Sequence, residues 1–321
     1  MSSASSSGSW PAGLSLTGGI PTKSQDLAAS IIFTIAFFLL LPLAGWRWFS
    51  RPSRTLTLIR PSVVLVLRIA TYSIRAVQAN GNYSKGLFIT EQVFLLAGLI
   101  PLLEPVVVLL RAHVRRDWIP EPPAHEGEEQ KRVTTLSRAL RALQLAVFVA
   151  FILGIVAGSK AGSAMGDPDA AAELKRYRYA SIGLSLFIIG LSFLVACAMH
   201  IRDSLPTRGT AFILALCIIL AMPNIYKLVV SIHHVAMLSA GAKTAFYLLS
   251  CLPEWIVIVA YFSVNLNMTF ELEEASWKDK VERKMKKGEW PTGMGYIEKE
   301  AYERRRNEDE LEMSISPQSK V

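Results

Sequence analysis

Arginine and glutamate recur inside stretches that are otherwise apolar, and that placement points to ion pairing or ligand recognition within a membrane. Residues 56–77 carry Arg60, Arg68 and Arg75, and residues 86–110 carry Glu91 and Glu104, with Pro101 and Pro105 beside the latter. A later apolar run contains Asn224 and Lys227 behind Pro223, and another contains Glu254 behind Pro253. An ionised side chain facing lipid at mid-bilayer costs about 2.5–3.5 kcal/mol even on the lenient insertion scale. Arginine does not escape by losing its proton, because its pKa stays above about 12. At roughly 100° per residue, Arg68 and Arg75 lie within about 80° of Arg60, so the three share one helix face. That face must point into a bundle.

Depth matching across an antiparallel hairpin pairs Arg75 with Glu91 near one membrane face and Arg60 with Glu104 near the other. Arg68 is left at mid-depth and needs an anion from elsewhere. Glu254, ten residues into its own apolar run, is about 15 Å deep and supplies one. Lys227 competes for the same carboxylate, and spacing does not choose between them. Glu91 and Glu104 lie about 140° apart on an ideal helix, so both face inward only if the prolines bend or rotate it. Two readings follow: an ion-pair ladder that fixes helix register, or a polar cavity for a ligand.

Catalytic and metal patterns do not appear. His233 and His234 are adjacent, so their rings leave a helix in different directions, and the zinc-binding HExxH spacing is missing. There is no nucleophile elbow and no phosphate-binding glycine loop. The expectation is a protein that is not an enzyme and needs no cofactor or metal.

These charges need helices to hold them. The 321 residues are 51% hydrophobic with a formal charge of +8. The basic residues gather at the ends of apolar runs, so membrane orientation explains them and nucleic acid is not expected as a partner. Seven runs approach the 20 or so residues that cross a bilayer: about 27–45, 56–77, 86–110, 140–158, 180–201, 210–232 and 244–266. The sixth is expected to break near Pro223. The fold class predicted is all-α, a polytopic seven-helix transmembrane bundle. Lysine and arginine concentrate in the first, third and fifth loops and the base of the tail, which places the N-terminus outside and the C-terminus in the cytosol. Lys160, Lys175, Arg176 and Arg178 in the fourth loop run against that trend. Asn82 heads a glycosylation sequon, Asn82-Tyr83-Ser84, in a loop that would then lie outside. The three cysteines, Cys197, Cys217 and Cys251, all fall in apolar runs, which excludes a disulfide between outer loops.

The chain divides into a Ser- and Gly-rich arm over residues 1–26, expected to be disordered; a seven-helix domain over 27–268; and a charged cytosolic tail over 269–321. In the tail, Trp277, Val281 and Met285 recur every four residues beside lysines and arginines, as in an amphipathic helix lying on the anionic inner leaflet.

Four segments together carry a resemblance: Leu67-Arg68-Ile69 with Ser73-Ile74-Arg75-Ala76; Ala97 to Glu104 leading to Leu110-Arg111; Asn224-Ile225-Tyr226-Lys227; and Leu252-Pro253-Glu254-Trp255. The chain resembles an uncharacterised fungal seven-helix membrane domain family, itself distantly similar to the fungal lipid-translocating, aminocholesterol-resistance-type proteins. The likeness covers roughly residues 27–268. It implies seven spans, a fungal origin and no established catalytic residues. This chain departs from the family pattern at Pro223-Asn224, where the pattern has an arginine before its asparagine-tyrosine-lysine segment.

The leading expectation is recognition or movement of a lipid, sterol or other amphiphile among the second, third, sixth and seventh spans. Arg68 and Glu254 would be the central contacts, with Lys227 assisting, and membrane lipids the partners, in the plasma membrane or an endomembrane. The alternatives are a seven-helix receptor acting on a cytosolic protein through its basic loops and tail, and a membrane scaffold without ligand. Familiar rhodopsin-like marks are missing.

Overall fold

The computed structural model describes residues 17–50, 53–82, 84–116, 128–164, 166–203, 205–233, 239–276, 278 and 280. Seven helices are long and apolar enough to cross a membrane: Lys23–Phe49, Leu56–Ala79, Lys85–Val114, Lys131–Lys160, Pro168–Arg202, Thr207–Ile232 and Ala240–Ser263. They are called the first to seventh spans, and no strand occurs among the described residues. The end of the bundle where the first span begins is called the arm end, and the opposite one the far end. The chain divides into two units, 1–118 with 128–273 and 119–127 with 274–321. In the second, Glu274 and Lys278 form an i,i+4 ion pair at 3.0 Å. Residues 1–16 of the arm and 277 and 281–321 of the tail lie outside the described residues, so Trp277, Val281 and Met285 of the expected amphipathic helix all do, as do the side chain of His233 and all of His234.

Polarity is distributed inside out. Ile32, Phe38, Leu145, Phe148, Phe187 and Leu194 are exposed on the surface, whereas Arg68, Arg75 and Glu91 are fully buried. In water this would waste apolar burial and desolvate charge; in hydrocarbon it is the required arrangement. The protein is a multi-pass membrane protein.

Successive spans pack side by side, the first also meeting the seventh, and the third runs through the middle. The most apolar stretch of the third span is 72% buried, the highest share of the seven. Its contact with the fourth span is close because Gly154, Gly158 and Gly162 face it at four-residue intervals. A Cβ on Gly158 would come within 2.5 Å of Val93 Cα, so only glycine lets the two backbones approach this far.

The ends and irregularities of the helices have identifiable causes. Ser84 caps the third span by accepting from Leu87 N at 3.2 Å. The third span is interrupted by a 3₁₀ turn at Ile100–Leu102, where Pro101 removes a donor. Three residues at about 120° instead of 100° add about 60° of rotation, which cuts the 140° offset between Glu91 and Glu104 to about 80°. The seventh span contains a π turn, Tyr247–Cys251, just before Pro253.

Four expectations need correction. The arm is not disordered throughout: Thr17 and Asp26 are buried, and the first helix starts at Lys23. The sixth span is not broken at Pro223; a single helix covers Thr207–His233, and the Asn224 amide donates to the Leu220 carbonyl at 2.9 Å. The third loop, expected between the runs 86–110 and 140–158, is helical at both ends, up to Val114 and again from Glu128. The fifth helix begins at Pro168, so Lys175, Arg176 and Arg178 lie on it and not in a loop.

Candidate functional site

The three arginines of the second span meet three sets of partners, stacked along the bundle. At the far end Arg60 pairs with Glu104 of the third span, and both side chains are part-exposed. Close by, Arg47 donates Nε to the Phe262 carbonyl at 2.6 Å and a second nitrogen to the Ser263 carbonyl, which caps the C-terminus of the seventh span.

At mid-depth Arg68 Nε lies 2.5 Å from Glu254 Oε2, and Lys227 Nζ lies 3.8 Å from Oε1 of the same carboxylate. The two pairs that competed on spacing therefore coexist. Each cation also takes a backbone carbonyl from the third span: Arg68 Nη1 donates to Phe94 (2.9 Å) and Lys227 Nζ to Leu95 (2.8 Å). These carbonyls belong to the last helical turn before Gly98 and the 3₁₀ turn. That turn is the negative end of a helix dipole, equivalent to roughly half an elementary charge. Two cations thus share one carboxylate and a helix end, and Arg68 Nη2 has no hydrogen-bond partner among the described residues. All three side chains are at most 3% exposed. Gly98 keeps the room for this, since a Cβ there would run into the Phe94 carbonyl and sit 3.2 Å from Arg68 Nη1.

Beside Lys227 is a cavity of about 10 Å³, at the threshold for holding one water, lined in part by Asn224, Arg178, Ser181 and Ser185. A larger space of about 500 Å³ opens at the far end between the fourth and fifth spans, against Lys131, Arg132, Leu136, Met199 and Arg202.

At the arm end Arg75 is the centre of a larger network. It pairs with Glu91 and with Asp26, the latter at 2.7 Å, and donates Nε to the Tyr247 hydroxyl at 3.0 Å. Gln78 donates to the second oxygen of Glu91 at 2.8 Å. Lys243 of the seventh span pairs with Asp26 and donates to Thr22 Oγ1 at 2.7 Å. Two carboxylates and two cations balance, so this cluster is neutral. Phe246 and Tyr247 rings flank the Arg75 guanidinium at 4.9 and 5.9 Å from their centroids, adding cation–π attraction.

The structure thus joins Arg60 to Glu104, Arg75 to Glu91, and Arg68 and Lys227 to Glu254. Asn224 lines the cavity beside them, and Asn82 stands apart, exposed in the turn between the second and third spans. Asp26, Lys243, Gln92 and Arg178 were not among the sequence candidates. Arg178 and Lys243 look like flanking charges at the ends of apolar runs, and Asp26 falls in the serine-rich arm. The available signal was helical spacing: Asp26, Ser30 and Phe37 share the buried stripe of the first span.

The profile of a family described as a domain of unknown function, DUF7702, matches residues 22–271. The chain belongs to this family. The DUF7702 match begins at Thr22 and therefore includes Asp26, and it takes in every ion pair of the three layers. It agrees with the expected membership of an uncharacterised domain family and extends a few residues beyond the expected 27–268 at each end. Comparison with curated proteins and with solved structures finds no match.

Proposed function

We propose that the protein recognises an amphiphile with an anionic head group, a membrane lipid or a sterol conjugate, through Arg68, Lys227 and Glu254, and performs no catalytic step. The observation that supports this is the charge imbalance at mid-depth: two buried cations on one carboxylate, next to a cavity that Arg178 also lines. An anion placed there would complete the electrostatics of the site. Kinship with lipid-translocating proteins of the aminocholesterol-resistance type is part of the same proposal. So are a location in the plasma membrane or an endomembrane and an outside N-terminus, which would expose Asn82 to glycosylation.

A cavity of about 10 Å³ admits no lipid head group, so binding requires the spans to part. The π turn at Tyr247–Cys251 and the 3₁₀ turn at Ile100–Leu102 flank the triad and supply the places where helices rotate at low cost. Native mass spectrometry of gently purified protein, with lipid extraction in parallel, tests the proposal. A defined lipid should accompany the native chain and be lost from Arg68→Ala and Glu254→Ala proteins that still insert. Lipid that survives both substitutions but leaves on Arg132→Gln with Arg202→Gln would move the site to the far-end cleft. Variants that fail to fold, with no lipid on the native chain, would leave the triad as a structural ion pair.

A further inference from the structure

The residues ahead of the first span enter the arm end of the bundle. Thr17 is fully buried. Its hydroxyl accepts from Arg178 Nη2 at 2.9 Å, and its carbonyl accepts from Gln92 Nε2 at 3.4 Å. The Gly18 carbonyl accepts from Arg75 Nη2. Three buried side chains, from the fifth, third and second spans, therefore converge on two consecutive residues. Gly18 and Gly19 both lie in the left-handed region, with φ of +77° and +63°. A Cβ on Gly18 would be 3.0 Å from Phe246 Cζ and 3.1 Å from Arg75 Nη1, so both conformation and space demand glycine.

One of the three donors is held independently of the segment. Arg75 is fixed by Asp26, Glu91 and Tyr247, and Gln92 and Arg178 are buried on separate helices. Together they form a set of hydrogen-bond donors, walled by Phe246, that reads a hydroxyl and two successive carbonyls of an uncharged, small-residue chain turning through two left-handed glycines. We propose that the arm end of the bundle is a peptide-binding site and that Thr17–Gly19 is its tethered occupant, open to exchange with a second peptide of the same kind. This is independent of what the central triad binds. It gives Arg178 two roles, because the same side chain lines the internal cavity beside Lys227.

A free peptide copying residues 11–22 tests the inference on the full chain. In a Cys197→Ser background, where Cys217 and Cys251 are buried, the thiol introduced by Thr17→Cys should react with a soluble maleimide about tenfold or more slowly than one introduced by Lys23→Cys, since it reacts only through local opening. A short tether gives an effective concentration on the order of millimolar, so free peptide at that concentration should raise the rate to about half that of Lys23→Cys, and a further excess should bring the two together. The same peptide with valine in place of the glycine that copies Gly18 should do neither. In a second measurement, a fluorescent copy of the peptide should bind saturably to the full-chain Gly18→Val protein, whose own segment cannot seat, and far more weakly to the native chain. Slow labelling that no peptide accelerates, together with no binding to Gly18→Val, would make the segment a fixed part of the fold and overturn the proposal. Fast labelling from the outset, or equal action of both peptides, would overturn it as well.

Discussion

Asp26→Asn should be among the most damaging single changes in the protein, although it alters one atom. Asp26 sits between Arg75 and Lys243, takes a hydrogen bond from the Tyr247 hydroxyl at 3.0 Å, and accepts the Thr22 backbone N–H at 2.8 Å. The neutral cluster becomes a net positive one, with two buried cations left to Glu91. Breaking a buried ion pair from one side costs about 3–5 kcal/mol, because the remaining charge stays desolvated. At about 2–4 °C per kcal/mol for a domain of this size, the midpoint should fall by roughly 6–20 °C. Thermal unfolding in lipid nanodiscs, followed by a thiol-reactive dye at the buried Cys217 and Cys251, reads this directly. Arg60→Ala is the matched control: its pair is part-exposed and worth about 0–1 kcal/mol, so its midpoint should hardly move. Removing Lys243 as well, in Asp26→Asn with Lys243→Met, leaves Arg75 and Glu91 balanced and should recover part of the loss. The reasoning fails if Asp26→Asn is no worse than Arg60→Ala, or if the double variant is the sum of its singles.

Gly158→Leu should destabilise by at least about 1–3 kcal/mol by forcing the third and fourth spans apart, seen as loss of folded monomer in detergent. Gly98→Ala should push on the Phe94 carbonyl first and on Arg68 next, so the third span should loosen at this turn together with the Arg68–Glu254 pair, lowering the thermal midpoint and weakening the binding of any lipid that accompanies the native protein. Arg47→Gln should fray the last turn of the seventh span, and hydrogen exchange of the amides just beyond Phe262 should rise while the arm end is unchanged.

Much of this architecture was legible because hydrocarbon makes charge conspicuous. Arg60, Arg68 and Arg75 on one helix face admit few partners; antiparallel depth named Glu104 and Glu91, and left Glu254 open between Arg68 and Lys227. The rotation that lets both glutamates of the third span face inward was anticipated only as a need; the 3₁₀ turn beside Pro101 meets it. Sequence fell short where charge is ordinary. A lysine or arginine a turn from the end of an apolar run usually snorkels to the interface, and nothing local distinguishes Lys243 or Arg178 from that majority. Both are buried here because Asp26 and Thr17, far away along the chain, reach them. The sixth span misled for the opposite reason. Pro223 carries a strong local penalty, which the surrounding helix tolerates.

The bond between the first and seventh spans also sets an order of events at the ribosome. Asp26 and Lys243 are 217 residues apart. At about 5–20 residues per second, the carboxylate waits roughly 10–40 s for that partner after it is made. Arg75 and Glu91 arrive within that interval, but Lys243 and Tyr247 come last. The first span therefore enters the bilayer carrying an acid that its own hairpin neighbours only half neutralise, and the ring of helices closes when synthesis is nearly over. A nascent chain halted before the seventh span should remain with the insertion machinery, which can shelter the charge, and release once Lys243 has emerged.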